Sequence, residues 1–157
     1  MKPMKIRKIN KNEWSDLQVL NNEVFIDNAK YDSDIIIDWA MSEVGKKYFQ
    51  ELVNDTESVC FVVENDLGKL VGYIAGSPKP CSYRKSKYFE IDNMGVIPEY
   101  RSQGIGAKLM EECKGWAKEN GYHKLFVTSY FANNKAITFY KKTGFEEIDL
   151  SLELTLN

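Results

Sequence analysis

Histidine is nearly absent from this sequence, because His123 is the only one among 157 residues. A Ser-His or Cys-His catalytic triad needs a histidine beside its nucleophile, and a histidine-rich metal site needs several. We expect His123 to be an ordinary polar residue at the start of a strand. The sequence therefore predicts neither a triad hydrolase nor a metal site.

Cysteine and long apolar runs are also scarce. The three cysteines, Cys60, Cys81 and Cys113, are odd in number and lie far apart, unlike a disulfide framework or a zinc ribbon. We expect reduced thiols. No apolar run reaches the length of a membrane span, and Met1–Lys5 leads into no signal-peptide core. These absences predict a cytoplasmic protein with no membrane partner.

An excess of positive charge is missing as well. Lysine and arginine number 21 against 23 aspartates and glutamates, and the net charge is -2. Without a basic stripe to follow phosphates, nucleic acid is not expected as a partner. The 43% hydrophobic content is enough for a sizeable core at this length. No linker or repeat divides the chain, so we expect a single domain over 1–157.

What the sequence does contain is a regular succession of strand-like and helix-like patterns. In chain order these are strand Lys5–Ile9, helix Asn12–Phe25, helix Ser42–Asn54, strands Ser58–Val63 and Lys69–Ala75, strand Tyr88–Val96, helix Gly104–Asn120, strand Lys124–Phe131, helix Asn134–Thr143 and one or two closing strands in Glu146–Leu156. The second and third strands should form an antiparallel hairpin. The proline-containing Gly76–Lys87 should be an exposed loop, and Tyr88–Phe131 should be a parallel crossover. This order predicts an α/β (α+β) fold with helices on a mixed, largely antiparallel sheet.

The segment Arg101–Gly106 lies between a predicted strand and a predicted helix. Gly104 and Gly106 have no side chains to block close approach, so backbone N–H groups and the positive end of the helix dipole can face an anion. A plain strand-to-helix turn has the same composition. The residues around this loop are needed to choose between the two interpretations.

Two separated motifs resemble the GNAT superfamily of acyl-CoA-dependent N-acetyltransferases. The first is Arg101-x-x-Gly104-x-Gly106, preceded by Met94-Gly95-Val96-Ile97-Pro98-Glu99-Tyr100. The second is Asn133-x-x-Ala136-x-x-x-Tyr140-x-x-x-Gly144-Phe145. The two motifs lie about the expected distance apart and within the expected order of elements. The sequence is thus identified as a member of this superfamily over nearly its whole length.

The resemblance implies a GNAT-like sheet that splays between the fourth and fifth strands, with acetyl-CoA in the gap as acetyl donor. A bulge near Met94–Gly95 would fit such a gap. The implied cofactor-binding residues are Met94, Gly95, Val96, Arg101, Ser102, Gln103, Gly104, Ile105, Gly106, Asn133, Ala136 and Tyr140. Arg101 is expected to fix the loop as much as to touch phosphate, while backbone amides carry most of the binding.

The implied chemistry is direct attack of a neutral primary amine on the acetyl thioester. Such an amine has a pKa of about 10.4, so a proton acceptor is needed. Glu90 resembles the strand glutamate that is the base in the histone-acetylating branch. Asp92, two residues on and on the same face of a regular strand, is an alternative base or a substrate anchor. Tyr140 is the implied general acid for the leaving thiolate.

The sequence gives less information about the acceptor amine. Acidic residues dominate the stretch 23–43, against a single Lys30: Glu23, Asp27, Asp32, Asp34, Asp38 and Glu43. This favours a small cationic amine such as a polyamine or an aminoglycoside, although a solvated helix face has the same charges. Aromatic walls for a cation are available in Tyr31, Trp39, Tyr83 and Tyr88. A peptide amine acetyltransferase and a catalytically silent acyl-CoA sensor stay open as alternatives.

Two further interpretations concern partners. A dinucleotide-binding Rossmann fold is disfavoured because the loop lacks the Gly-x-Gly-x-x-Gly order. The alternating tail Ile148–Leu156 offers an edge strand to a second copy, which makes a homodimer possible.

Overall fold

A computed structural model describes residues 3–157, which fold into a sheet with helices against both of its faces. In chain order the elements are β1 (Lys5–Lys8), a 3-10 turn (Lys11–Glu13), α1 (Trp14–Phe25), 3-10 turns at Ile26–Lys30 and Trp39–Met41, α2 (Glu43–Asn54), β2 (Val59–Glu64), β3 (Leu70–Lys79), β4 (Tyr88–Val96), a 3-10 turn (Pro98–Tyr100), α3 (Ile105–Glu119), β5 (Lys124–Val127) and α4 (Asn134–Lys142). In this described range, no helix combines the length and the apolarity needed to cross a membrane.

The sheet follows the chain in the spatial order β1-β2-β3-β4-β5. β1 to β4 are mutually antiparallel, and β5 joins β4 in parallel through the α3 crossover. The predicted hairpin, the parallel crossover and the mixed, largely antiparallel sheet are therefore confirmed.

The core lies on both sides of β2 and β3. Tyr73 of β3 is bound by Asn21 of α1 on one face, while the neighbouring Gly72 approaches Ile105 of α3 on the other. Because both faces are covered, β2 is buried from Val59 to Val63 and its sequence is continuously apolar. The three cysteines are free thiols, two of them buried.

β3 is longer than its sequence pattern indicates. The prediction of a loop from Gly76 is wrong over Gly76–Lys79, which continues β3 and pairs with β4. β2 ends its pairing at Gly76, so beyond that point β3 has a neighbour on one side only. Pro78 has no N–H to donate, and it is tolerated there because a strand edge does not require one.

The closing strands are a second difference. Residues 146–157 pair with no strand, so the sheet has five strands in residues 3–157, and β5 ends at Val127 rather than Phe131. The alternation of the tail is real, but Ile148, Leu150, Leu152, Leu154 and Leu156 are all exposed. An alternating pattern indicates that one face of the segment is suited to burial, but it does not identify the surface that would bury it.

Candidate active site

β4 and β5 form a fork. Their parallel pairing covers only Tyr88–Ile91 against Lys124–Val127. Beyond Ile91 the strands separate, while β4 stays paired with β3 as far as Val96. The predicted splay between the fourth and fifth strands is confirmed, and it leaves the β5-facing side of 92–96 without a strand partner in the described chain.

A β-bulge lies at the branch point of this fork. Asn93 pairs with Ala75 and Ile91 pairs with Gly76, so Asp92 is the extra, unpaired residue. The sequence indicated a bulge near Met94–Gly95, and that position is wrong. Gly95 is needed for a different reason, since a Cβ there would lie 2.4 Å from Val24 of α1. Gly95 allows α1 to approach β4, whereas the bulge bends the strand at Asp92.

A cavity of about 380 Å³ opens at the fork. Both predicted carboxylates, Glu90 and Asp92, line it, as regular pleating predicted for residues two apart. Its remaining lining comes from α2, β3, β4 and the turns beside them: Trp39, Tyr48, Ser77, Ile91, Asn93 and Thr128. Such a volume accommodates the end of a small organic amine.

The two carboxylates have different partners. Glu90 forms an ion pair with the ammonium of Lys79, at 3.2 Å. Asp92 instead accepts a 2.7 Å hydrogen bond from the hydroxyl of Ser77. Desolvation raises the pKa of Asp92, the negative charge of Glu90 raises it further, and the Ser77 hydrogen bond and the charge of Lys79 oppose this rise. The net rise means that the Asp92 carboxylate takes up a proton more readily than an ordinary aspartate does.

A buried polar network supports the cavity from below. The side-chain amide of Asn21 donates to the Tyr73 hydroxyl at 2.6 Å. The same nitrogen lies 3.5 Å from the side-chain oxygen Oδ1 of Asn93. Asn93 in turn donates to the Tyr48 hydroxyl at 3.2 Å. Burial raises the pKa of Tyr48 to about 12, so its hydroxyl stays neutral in the cavity wall. The network fixes the rings and amides on which an acceptor would rest.

The loop after β4 has the geometry of an anion site. Ser102 and Gly104 both have left-handed backbone conformations, with φ of 61° and 78°. Within residues 3–157, the N–H groups of 102–107 donate to no other residue, and no side chain caps α3. A Cβ at Gly104 would meet nothing within 4 Å, so the space beside this residue is open. Consecutive free N–H groups at a helix start form a nest for an anion.

Arg101 fixes this loop rather than lining it. Its Nε donates to the Val96 carbonyl at 2.8 Å, and its Nη2 donates to Asp27 at 2.9 Å. The Val96 carbonyl is thus already engaged by a side chain of the protein. Asp27 belongs to the acidic stretch 23–43. One negative charge of that stretch is therefore paired with Arg101 of the loop.

α4 packs beside the loop, and its Tyr140 lies near Tyr73 of β3 rather than in the lining of the cavity. Asn133 caps this helix, because its side chain accepts the Ala136 N–H at 3.1 Å, so these two residues build the helix end. The Phe139 ring lies 3.4 Å from the position of a Cβ on Gly106. Tyr140 packs against Phe139 and Phe145, and burial raises its pKa to about 12. Its hydroxyl has no hydrogen-bond partner in the described chain, so it is available to a ligand.

The segment between α1 and α2 packs against Tyr130, just beyond β5. Tyr31 stacks on Tyr130 with ring centroids 5.9 Å apart, and the Tyr130 hydroxyl donates to Asp32 at 3.0 Å. The rest of the acidic stretch is exposed: Glu23, Asp34, Asp38 and Glu43. Of the four aromatic residues predicted as walls, only Trp39 lines the cavity, since Tyr83 is exposed and Tyr88 is buried beneath Arg84.

Sequence reasoning missed Tyr48, Ser77 and Thr128. The spacing of Tyr48 fits the apolar face of α2, and only its hydroxyl indicates another role. Ser77 lies in the part of β3 predicted as a loop. His123 behaves as expected of a structural polar residue, since its Nδ1 accepts the Lys87 N–H at 2.8 Å. No group of three or more His, Cys, Asp or Glu side chains suited to a metal ion occurs in 3–157.

Several curated proteins resemble this chain over part of its length. It is 35% identical over 104 residues to an uncharacterised N-acetyltransferase of Methanocaldococcus jannaschii, covering 64% of this chain and 44% of that protein. It is 28% identical over 112 residues to streptothricin acetyltransferase A of Bacillus subtilis, covering 68% and 65%. The chain spans two thirds or less of the curated relatives it matches, from 44% to 66%.

Solved structures share the fold at low identity. An aminoglycoside 6'-N-acetyltransferase of Acinetobacter baumannii superposes with a TM-score of 0.76, at 18% identity and 99% coverage of both chains. A Bacillus halodurans protein gives 0.84 at 21% identity, covering 98% and 99%. A further aminoglycoside N-acetyltransferase, solved in complex with CoA, gives 0.75 at 16% identity, covering 99% and 96%.

The sequence model of the "Acetyltransferase (GNAT) family" matches residues 14–145. This range contains the fork of β4 and β5, the loop 101–106 and α4, and it fits the expectation drawn from the two motifs. The chain therefore belongs to the GNAT family of acetyltransferases.

Proposed function

We propose that this domain transfers an acetyl group from acetyl-CoA to the primary amine of a small cationic molecule. The observation that carries the proposal is the position of Asp92, whose carboxylate faces a cavity at the point where β4 separates from β5. The loop 101–106 follows shortly after β4, and Tyr140 belongs to α4, which packs against this loop through Phe139. The pyrophosphate of the donor is therefore matched by the loop 101–106, and the amine of the acceptor is matched by Asp92.

The donor site is assigned to the loop and the free side of β4. The N–H groups of Gln103, Gly104, Ile105 and Gly106 suit the pyrophosphate, because they are unpaired at the positive end of α3. The pantetheine arm suits the β5-facing side of Met94–Val96, where no strand pairs. One of the fold neighbours was solved with CoA, which fits this assignment.

Asp92 is the proposed proton acceptor. Its raised pKa brings it closer to that of an amine, whereas Glu90 would have to give up its ion pair with Lys79 to accept a proton. As the amine nitrogen bonds to the thioester carbon, its proton passes to the Asp92 carboxylate. We assign to Glu90 the role of holding Lys79 at the cavity wall.

Tyr140 is the proposed donor to the leaving sulfur. The carbon–sulfur bond breaks and its electron pair stays on sulfur as a thiolate. With a pKa of about 12, the Tyr140 hydroxyl is a weaker acid than a thiol of pKa about 8.5, so it donates a hydrogen bond more readily than a whole proton. The thiolate then takes its proton from solvent.

The small cationic acceptor is favoured by charge and size. Lys79 neutralises Glu90, which leaves Asp92 and the exposed acidic residues of the α1–α2 segment facing an incoming cation. Trp39 and Tyr48 provide a wall of rings, with centroids 5.5 Å apart. The neighbours that act on aminoglycosides and the relative that acts on streptothricin are consistent with amine-rich substrates.

A lysine side chain of a peptide would present the same ammonium group to the cavity. A catalytically silent acyl-CoA sensor is less consistent with a carboxylate whose pKa is raised in an open cavity. We also retain a cytoplasmic location for this single domain, because three free thiols fit a reducing compartment.

The test is acetyl-CoA-dependent thiol release with spermidine, short diamines, aminoglycosides, amino acids and a lysine-containing peptide, beside a control without acceptor. We expect release with small polyamines or aminoglycosides and little with neutral amino acids. Release with the peptide alone would move the acceptor class to proteins. Silence across the panel, together with acetyl-CoA binding by calorimetry, would favour the sensor and contradict the proposal.

A further inference from the structure

Lys79 brings an ammonium group of the protein itself to the fork. It lies at the end of β3, where this strand pairs with Tyr88 of β4 and no longer with β2. Its Nζ is 3.2 Å from the Glu90 carboxylate and 4.3 Å from the centre of the Phe126 ring of β5. A carboxylate and the face of an aromatic ring both attract an ammonium ion. Glu90 and Phe126 thus form a cation subsite, and Lys79 occupies it.

This cation subsite borders the proposed acceptor cavity. Glu90 lines the cavity together with Asp92, and Lys79 reaches Glu90 from the neighbouring strand. Residues two apart are separated by about 7 Å along a strand, which sets the scale of the distance between the two carboxylates. The two nitrogens of a short diamine such as putrescine have a comparable separation. A diamine with one amine at Asp92 would therefore place the other beside Glu90.

The charges at this end of the cavity leave room for one ammonium group. Glu90 and Asp92 are the only charged residues that line the cavity in the described chain, and Lys79 pairs with Glu90. An amine bound at Asp92 neutralises the remaining carboxylate. A second ammonium nearby would find Glu90 already paired and would be repelled by Lys79, because like charges about 7 Å apart still interact near a protein surface.

The contact between Lys79 and Glu90 is not needed to hold the fold. Both side chains are partly exposed, and ion pairs of this kind contribute little to stability. The pairing of β3 with β4 uses backbone groups, which a substitution at Lys79 leaves in place. Methionine there would keep a long, flexible side chain against Phe126, since a thioether packs well on an aromatic ring. Lys79→Met therefore empties the cation subsite without disturbing the strand.

We propose that Lys79 determines how many ammonium groups an acceptor can bring into the cavity, because its own ammonium occupies the subsite of Glu90 and Phe126 that a second one would need. The inference rests on the acetyl transfer proposed above and narrows its acceptor class. It favours cationic amines whose next charged amine lies beyond the cavity over short diamines. Lys79 is thus a specificity-determining residue, and its removal converts the cavity into a site for two ammonium groups.

NMR titrations of the full chain with butylamine and with putrescine, in the presence of CoA, test this proposal without acetyl transfer. From wild type to Lys79→Met, we expect the affinity for putrescine relative to butylamine to rise at least about tenfold. The matched control Lys85→Met removes the same charge from an exposed lysine between β3 and β4, and it should leave this ratio unchanged. Adding Glu90→Gln to Lys79→Met should abolish the rise. An unchanged ratio in Lys79→Met, an equal rise in Lys85→Met, or no detectable binding of putrescine to Lys79→Met would overturn the proposal.

Thiol release from acetyl-CoA with the same two amines separates this proposal from the function on which it rests. We expect Lys79→Met to raise kcat/KM for putrescine relative to butylamine by a factor similar to the change in relative affinity. If both amines are acetylated but the variant changes their kcat/KM values equally, the acetyl transfer stands and the role of Lys79 is wrong. If neither amine is acetylated while the relative affinity shifts as expected, the cation subsite stands and transfer to these small amines is wrong.

Discussion

Replacing Asp92 with asparagine removes the proposed proton acceptor and little else. Asparagine has nearly the same shape, and its carbonyl oxygen can still accept the 2.7 Å hydrogen bond from Ser77. A general base contributes about 10²- to 10⁴-fold to a rate, or about 3 to 5 kcal/mol of barrier. We expect kcat/KM for the amine to fall by that factor while the KM for acetyl-CoA changes little.

The matched control is Glu90→Gln. The Glu90 side chain is 29% exposed and that of Lys79 is 38% exposed, so their ion pair is worth about 1 kcal/mol or less. We expect less than a tenfold loss of kcat/KM in this variant. If instead kcat/KM falls 100-fold or more in Glu90→Gln and stays within tenfold of wild type in Asp92→Asn, then Glu90 is the base and the assignment of Asp92 is refuted.

The pH dependence gives a second measurement on the same variants. A base must be ionised, so activity falls as the pH drops through the pKa of Asp92, which burial raises above its ordinary value of about 3.9. The acidic limb of the wild-type profile should therefore lie above that value and should disappear in Asp92→Asn. A carboxyl with a raised pKa in the folded state stabilises the fold only while protonated, and this contribution is lost as the pH rises. The Asp92→Asn variant should thus unfold at the same or a higher temperature than wild type at pH 7.

Three further outcomes are expected. Tyr140→Phe should lower kcat about 10- to 100-fold in steady-state assays, because it removes one hydrogen bond to a charged group, and the KM for acetyl-CoA should not change. An unchanged kcat would remove Tyr140 from the chemistry. Gly104→Asp should weaken acetyl-CoA binding at least about tenfold in calorimetry, because like charges near a surface repel by about 1 kcal/mol or more, and the neutral Gly104→Asn is its control; equal binding by both would contradict the anion site. Gly95→Ala should destabilise the fold by about 1 to 3 kcal/mol in denaturant titration, since its Cβ would lie 2.4 Å from Val24. Adding Val24→Ala should relieve part of that cost. If the two losses are additive, the two residues are not in steric conflict.

Much of the fold could be predicted from local patterns. The strand Tyr88–Val96 has the same bounds in sequence and structure, and α3 differs by one residue at each end, because glycines limit that helix on both sides. The end of β3 could not be predicted. Pro78 is an ordinary turn signal, and only the one-sided pairing of this part of β3 makes it acceptable in a strand.

The candidate site was predictable where motif and geometry coincide. Glu90, Asp92 and the loop 101–106 follow from the sequence; both carboxylates line the cavity at the fork, while the loop lies beyond the end of β4. The choice between the two carboxylates was not predictable, because it depends on Lys79 and Ser77, which reach them across the β3–β4 pair. Tyr48 reaches the cavity only through the packing of α2, which no local spacing reports.

The bulge at Asp92 makes the length of β4 as important as its composition. Because one extra residue interrupts the two-residue period, Asp92 and Asn93 are consecutive in the chain and yet both line the cavity. Deleting Asp92 would restore the regular period and keep the later pairs in register, because Asn93 and Met94 already oppose Ala75 and Ile74. Deleting Met94 instead would turn the later side chains to the opposite face, and Val96 would take the place of Gly95 against Val24 of α1. We therefore expect β4 to fold without Asp92 but not without Met94.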